Sequence, residues 1–206
     1  MPATKAGYAI AVMNSTPPPA AGEEGIPSRT ELREALRCAA SALKEHGPPF
    51  ALAGSYALWA YGAPEPTHDV DIVIAESDVS AAATTLEMAG FRIERPPEDW
   101  LFKACMGRAV VDVLHRINGA IVPPQALDSA EDRTVLAISM PVLPPTEVFI
   151  QKLRALTEHS CDFAKLMPAA RATREKLDWE RIETETKDND FAVAFLVLID
   201  RLGLRR

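Results

Sequence analysis

Two aspartates two residues apart, Asp69 and Asp71 in "THDVDIVI" (67–74), interrupt a segment whose apolar residues alternate with period two. Such alternation predicts a β-strand. On a strand both carboxylates leave one face, while Val70, Ile72 and Ile74 leave the other, the core face. Two carboxylates this close repel, and one is driven to stay protonated unless positive charge lies between them. A divalent cation removes the conflict. An all-oxygen donor set suits Mg2+, with Mn2+ as an alternative, and Mg2+ takes one or two carboxylates plus phosphate oxygens of a substrate. The competing reading is a solvated strand face with two harmless aspartates, since D-x-D is a short motif.

A third acid strengthens the metal reading. Asp112 stands inside "AVVDVLH" among Val110, Val111, Val113 and Leu114. There it is costly if buried without a partner. Placed beside the first pair it completes a three-carboxylate cluster able to hold two metals for in-line phosphoryl or nucleotidyl displacement. It is also placed to take the proton of an attacking hydroxyl. The alternative is an edge-strand aspartate facing water. Gly54-Ser55 falls where a strand hands over to a helix. Glycine admits a phosphate close to the backbone, and the serine adds a hydroxyl or simply caps the helix. Lys152 falls between Val148 and Leu156 on the inward side of an amphipathic helix whose polar stripe is Glu147, Gln151, Arg154 and Glu158. An inward lysine needs an anion, such as a triphosphate tail, or must snorkel to water. Asp162 opens the next helix, either as its N-cap or to orient Lys152.

The elements that position these residues follow from pattern. Ser28 to Glu31 form an S-x-x-E capping box. The helix behind it carries Leu32, Leu36, Ala39, Ala40 and Leu43 on one stripe and stops at Gly47. A short strand ends at Ala53, and a short helix runs from there to Gly62. After the "HDVDIVI" strand come a helix over 78–89, a strand "FRIER", a turn "PPED", and a hairpin of "LFKACM" and "AVVDVLHR" through Gly107-Arg108. One last strand is expected over 134–138. Helical periodicity then predicts helices near 146–158, 162–174, 178–187 and 190–202. The reading is α+β: a flexible arm over 1–26, a mixed-sheet unit with flanking helices over 27–143, and a helical unit over 144–206.

Composition narrows the class. At 206 residues, 48% hydrophobic and 25% charged, the chain can pack a core. A net charge of −7 argues against bulk nucleic-acid binding over the whole surface. Nevertheless Lys165, Arg171, Arg174, Lys176, Arg181, Lys187, Arg201, Arg205 and Arg206 gather late and either line a cleft or form an ordinary solvated face. Cys38, Cys105 and Cys161 show no paired spacing, which argues against a zinc site and suits reduced thiols in a cytoplasmic protein. No run approaches the ~18 apolar residues of a membrane span. "GYAIAVM" near the N-terminus is short and broken by Gly7, so it reads as part of the arm rather than a leader, with Met13 an alternative start.

The ordered set "AGSYAL", "HDVDIVI" and "VVDVLH" resembles the nucleotidyltransferases of the DNA polymerase β superfamily. "PPTEVFIQKLRALTEHSCDFAKLMPAARA" is similar to the helical part of bacterial members of the AbiEii and MenT toxin type. The resemblance implies that Gly54 and Ser55 hold phosphates, that Asp69 and Asp71 bind magnesium, and that Asp112 is ligand or base. It further implies that Lys152 contacts the triphosphate of an NTP and that Asp162 is the acid of the last motif. The acceptor would be the tRNA 3′ end, and the partner a cognate antitoxin. One departure stands out: where relatives carry an arginine before the first metal aspartate, "PEPTHD" offers Glu65 and His68. Rival readings are transfer to a small molecule such as an aminoglycoside or to a protein, a non-catalytic nucleotide-binding partner protein, and a structural domain with chance aspartates.

Overall fold

The structure, a computed structural model, describes residues 26–97 and 99–205. Most of the expected N-terminal arm, Met13 and Arg206 therefore lie outside the described residues. Helix α1 (Arg29–His46) begins at the capping box foreseen. Glu31 N–H donates to Ser28 Oγ at 3.2 Å, and Ser28 N–H donates to Glu31 Oε2 at 2.8 Å. Its apolar stripe, Leu32, Leu36, Ala39, Ala40 and Leu43, is buried. Strand β1 (Phe50–Leu52), helix α2 (Gly54–Ala60), strand β2 (Val70–Ile74) and helix α3 (Val79–Met88) follow. Then come strands β3 (Arg92–Glu94), β4 (Leu101–Met106) and β5 (Ala109–Leu114). A small hairpin of β6 (Arg116–Ile117) and β7 (Ala120–Ile121) precedes β8 (Glu131–Val135) and β9 (Ile138–Val142). Helices α4 (Pro145–Arg154), α5 (Phe163–Thr173), α6 (Trp179–Thr186) and α7 (Asp190–Arg201) complete the chain.

Seven strands form one mixed sheet in the order β3-β4-β5-β2-β1-β9-β8. β2 runs parallel to β5 and β1 parallel to β9, and the remaining neighbours are antiparallel. Helices α1 and α3 cover the face carrying Val70, Ile72, Val111 and Val113, all of them buried. Helix α2 packs on β2 and on α4, which ties the C-terminal helices to the sheet. No helix among the described residues is long and apolar enough to cross a membrane.

Three expectations need correction. The single strand expected over 134–138 is a hairpin, β8 and β9, turning at Leu136 and Ala137, both at positive φ (51° and 65°). Its turn lacks the glycine or asparagine that normally marks such a conformation, so the apolar run "TVLAI" reads as one strand. The helix expected to reach residue 158 ends at Arg154. The Asn189 side-chain amide donates to the carbonyls of Arg154 (3.3 Å) and Leu156 (2.9 Å), and the chain turns back through a Thr157–Ser160 bridge. Glu158 therefore leaves the polar stripe assigned to it. The β6–β7 hairpin was not foreseen, although Asn118-Gly119, both at positive φ, is a strong hairpin signal.

Candidate active site

Strand pairing brings the sequence motifs together. Asp71 and Asp112 are register partners across the parallel β2–β5 pair, so their side chains leave one face of the sheet side by side. Asp69 lies just ahead of β2, solvent-exposed, and its charge acts on both. Asp112 is 8% exposed. On β4, Lys103 is the register partner of Asp112, and its Nζ lies 2.9 Å from Asp112 Oδ1. Lys103, Asp112 and Asp71 thus form a row across three adjacent strands. Sequence reading missed Lys103, because it lies in an apolar strand and its partner is set by pairing alone.

The Gly54-Ser55 corner meets this row from β1. The backbone N–H of Ala53 donates to Asp71 O at 2.9 Å, and that of Ser55 hydrogen-bonds the Asp71 carboxylate. Gly54 sits at φ +56°, and a Cβ built there would lie 2.6 Å from the Asp71 carboxyl carbon. In the structure this glycine makes room for a carboxylate. From α4, Lys152 lies in electrostatic reach of Asp71. Asp162 is the N-cap of α5: it accepts from Ala164 N–H at 3.1 Å and lies 3.6 Å from Lys165.

Burial pushes the Asp71 carboxyl up to about 6. Lys152 and the Ser55 N–H pull it down, while Asp112 and Asp69 push it further up. Asp112 is also raised, again first by burial, against the lowering pull of Lys103. Like charges gathered out of water hold protons more tightly, which is the behaviour expected of a site built for a cation. The donor set is all oxygen and suits Mg2+ or Mn2+. Among the described residues, however, no three His, Cys, Asp or Glu side chains stand together as a metal-binding group. Asp112 gives its oxygen to Lys103 instead.

Two cavities share Asp71 and Lys152. The larger, about 660 Å³, has Trp100, Leu114 and Ile117 as apolar walls, with Asp99, Arg116 and Asn118 beside them. The smaller, about 430 Å³, is bounded by Ser55, Glu65, His68, Asp69 and Lys165. Glu65 is clamped by Arg33 at 2.6 Å. A still larger cavity, about 880 Å³, lies between Lys44, Asp78 and Asp128 and contains none of these residues.

Residues 32–190 match the family described as nucleotidyl transferase of unknown function (DUF2204), and the chain belongs to that family. It is thus a nucleotidyltransferase by family. Solved structures agree on the fold. One is ANT(2″)-Ia in complex with adenylyl-2″-tobramycin: 14% identity, TM-score 0.58, covering 80% of this chain and 97% of the other. A second is a protein of Thermotoga maritima assigned as a nucleotidyltransferase, at 17% identity and TM-score 0.50, covering 68% of this chain and 92% of the other. A search of curated proteins finds no match.

Proposed function

We propose that the protein transfers a nucleoside monophosphate from an NTP to the hydroxyl of a small acceptor, releasing pyrophosphate, with Mg2+ or Mn2+ held by Asp69, Asp71 and Asp112. The observation that carries this is the Asp71–Asp112 register pair, with the charge of Lys152 acting on Asp71 and two cavities that share Asp71 and Lys152. Bound metal would supply charge neutralisation for the attacking and leaving oxygens.

The chain's own residues divide the remaining work. In-line displacement places the entering hydroxyl and the departing pyrophosphate on opposite sides of the α-phosphorus. Ser55 and Lys165 line only the smaller cavity, which supports reading it as the phosphate side, where Lys165 and the shared Lys152 would offset charge on the leaving group. The acceptor then enters from the Trp100 side. Asp112 accepts the hydroxyl proton as the new P–O bond forms and the bond to pyrophosphate breaks.

Charge favours a small acceptor over the tRNA 3′ end. Many of the late basic residues are already engaged. Arg181 binds Glu147 and Glu185, Arg174 binds Glu175, and Arg205 binds Glu183. Lys176 donates to the Tyr61 carbonyl at 2.5 Å. In the acceptor cavity Arg116 is held by Glu76, with a 2.7 Å hydrogen bond. Polynucleotide binding draws its affinity from free cations that meet phosphates, so a toxin role with a cognate antitoxin gains no support from these contacts.

The test is label transfer from α-32P-labelled NTPs with Mg2+ to tobramycin-type polyhydroxylated acceptors and, separately, to total tRNA. Transfer to the small acceptors, lost in Lys152→Ala, is expected. Label that stays in the NTP with both would sink the reading. Trp100, 42% exposed on the cavity wall, is expected to stack on the acceptor. Trp100→Ala should raise the acceptor KM roughly tenfold, the worth of ~1.4 kcal/mol, and leave the NTP KM within about twofold.

A further inference from the structure

Lys103 has no part in the transfer scheme above, yet its ammonium hydrogen-bonds Asp112 directly. Register places it directly opposite Asp112. Its ammonium lies 2.9 Å from Asp112 Oδ1, and the Lys103 side chain is 35% exposed against 12% for Asp112. On the same strand Phe102 and Ala104 point into the core and are buried, so the backbone under Lys103 is pinned by sheet and packing. The side chain above it is partly in water. It is a flexible four-carbon stem with a single point charge, able to leave a partner without disturbing the strand.

A carboxylate this buried needs a cation near it, and removing one partner of a buried pair is costly. A divalent ion held by Asp112 would stand against the Lys103 ammonium, and the repulsion between the two cations makes them compete for that carboxylate.

We propose that Lys103 is a resident counter-ion that holds Asp112 until a divalent cation arrives, competes with that cation for the third carboxylate, and swings toward solvent when displaced. The proposal rests on the carboxylate reading of the preceding section. It makes Lys103 a positioning residue that sets metal affinity, with no contact to the reacting atoms.

Mn2+ alone is the probe. Free Mn2+ is followed by electron paramagnetic resonance at pH 8, without nucleotide, in the full chain. Lys103→Met should tighten the Mn2+ Kd at least fivefold, and Lys103→Arg, which keeps the charge, should stay within about twofold of wild type. In EDTA, Lys103→Met should unfold at a lower temperature than wild type, and Mn2+ should reverse that order. An unchanged or weaker Kd in Lys103→Met overturns the proposal. If that variant does not fold, the unmutated protein decides: acetic anhydride should modify Lys103 several-fold faster with Mn2+ than with EDTA, and an equal rate overturns the proposal. Asp71→Asn separates the two levels of inference. Mn2+ binding that is lost in Asp71→Asn but indifferent to Lys103 removes only the role of Lys103. Absence of saturable Mn2+ binding in wild type overturns both.

Discussion

Asparagine in place of Asp71 is expected to lower nucleotidyl transfer at least a thousandfold and, at the same time, to raise the unfolding temperature at pH 8 in EDTA. The two effects share one cause. Asp71 is held ionised among Asp69 and Asp112 in a site where burial already disfavours charge. Its carboxyl titrates near 6 in the fold against 3.8 for the free group. The folded protein therefore binds the Asp71 proton more tightly than the unfolded chain. The stability this provides is complete below about pH 4 and is lost as pH rises through about 6. At pH 8 the whole penalty is present, at most about 3 kcal/mol, offset in part because Lys152 loses its counter-charge in the variant. Asparagine keeps the shape and an acceptor for the Ser55 N–H and removes the charge. A gain of a few degrees is expected at this chain length. Wild type should lose thermal stability between pH 5 and pH 7 in EDTA, and Asp71→Asn should show a shallower slope, with the residual slope from Asp112, which is also raised. Mg2+ should stabilise wild type and leave the variant unmoved. Differential scanning calorimetry over that pH range, paired with transfer assays, checks both halves. A variant less stable than wild type at pH 8 would show that the carboxylates are not under electrostatic strain.

How much of this was legible in the sequence depends on how local each signal is. Alternation in "HDVDIVI" put Asp71 on the polar face of β2, although Asp69 falls just ahead of the strand, and the capping box began α1 at the residue foreseen. The position of Lys152 on the side of α4 that faces the carboxylates followed from helical period, and its charge acts on Asp71. Asp112 could be picked out because a charge in "AVVDVLH" needs a reason. That it lies beside Asp71, and not beside some other residue of β2, is a register fact that no single strand encodes. Lys103 was invisible for the same reason. Its meaning comes from the strand next door. The Trp100 cavity is walled in part by the β6–β7 hairpin, through Arg116, Ile117, Asn118 and Gly119, with Asn118 donating to the Gln151 carbonyl of α4 at 3.2 Å. The Leu136-Ala137 turn has no local signature at all, and there the pairing of β8 with β9 overrides propensity.

Gly54→Ala tests the corner from the other side. An alanine at φ +56° pays the left-handed penalty, about 1–2 kcal/mol. The added methyl also falls 2.6 Å from Asp71 Cγ and 2.9 Å from Asp71 Cβ, and both atoms belong to a short side chain on a paired strand, with little room to yield. The expected loss is therefore larger than strain alone, roughly 2–4 kcal/mol, with transfer down at least a hundredfold because the carboxylate is pushed out of line with Asp112. A double-mutant cycle separates the two contributions. In an Asp71→Gly background the methyl meets no carboxylate, so Gly54→Ala should there lower stability by the backbone term only. Equal losses in both backgrounds, measured by denaturant unfolding, would mean that Gly54 is needed for its backbone angle and not for the space it leaves to Asp71. The corner would then be a turn that happens to lie near the carboxylates, and the case for a site assembled from β1, β2 and β5 would have to stand on the register pair alone.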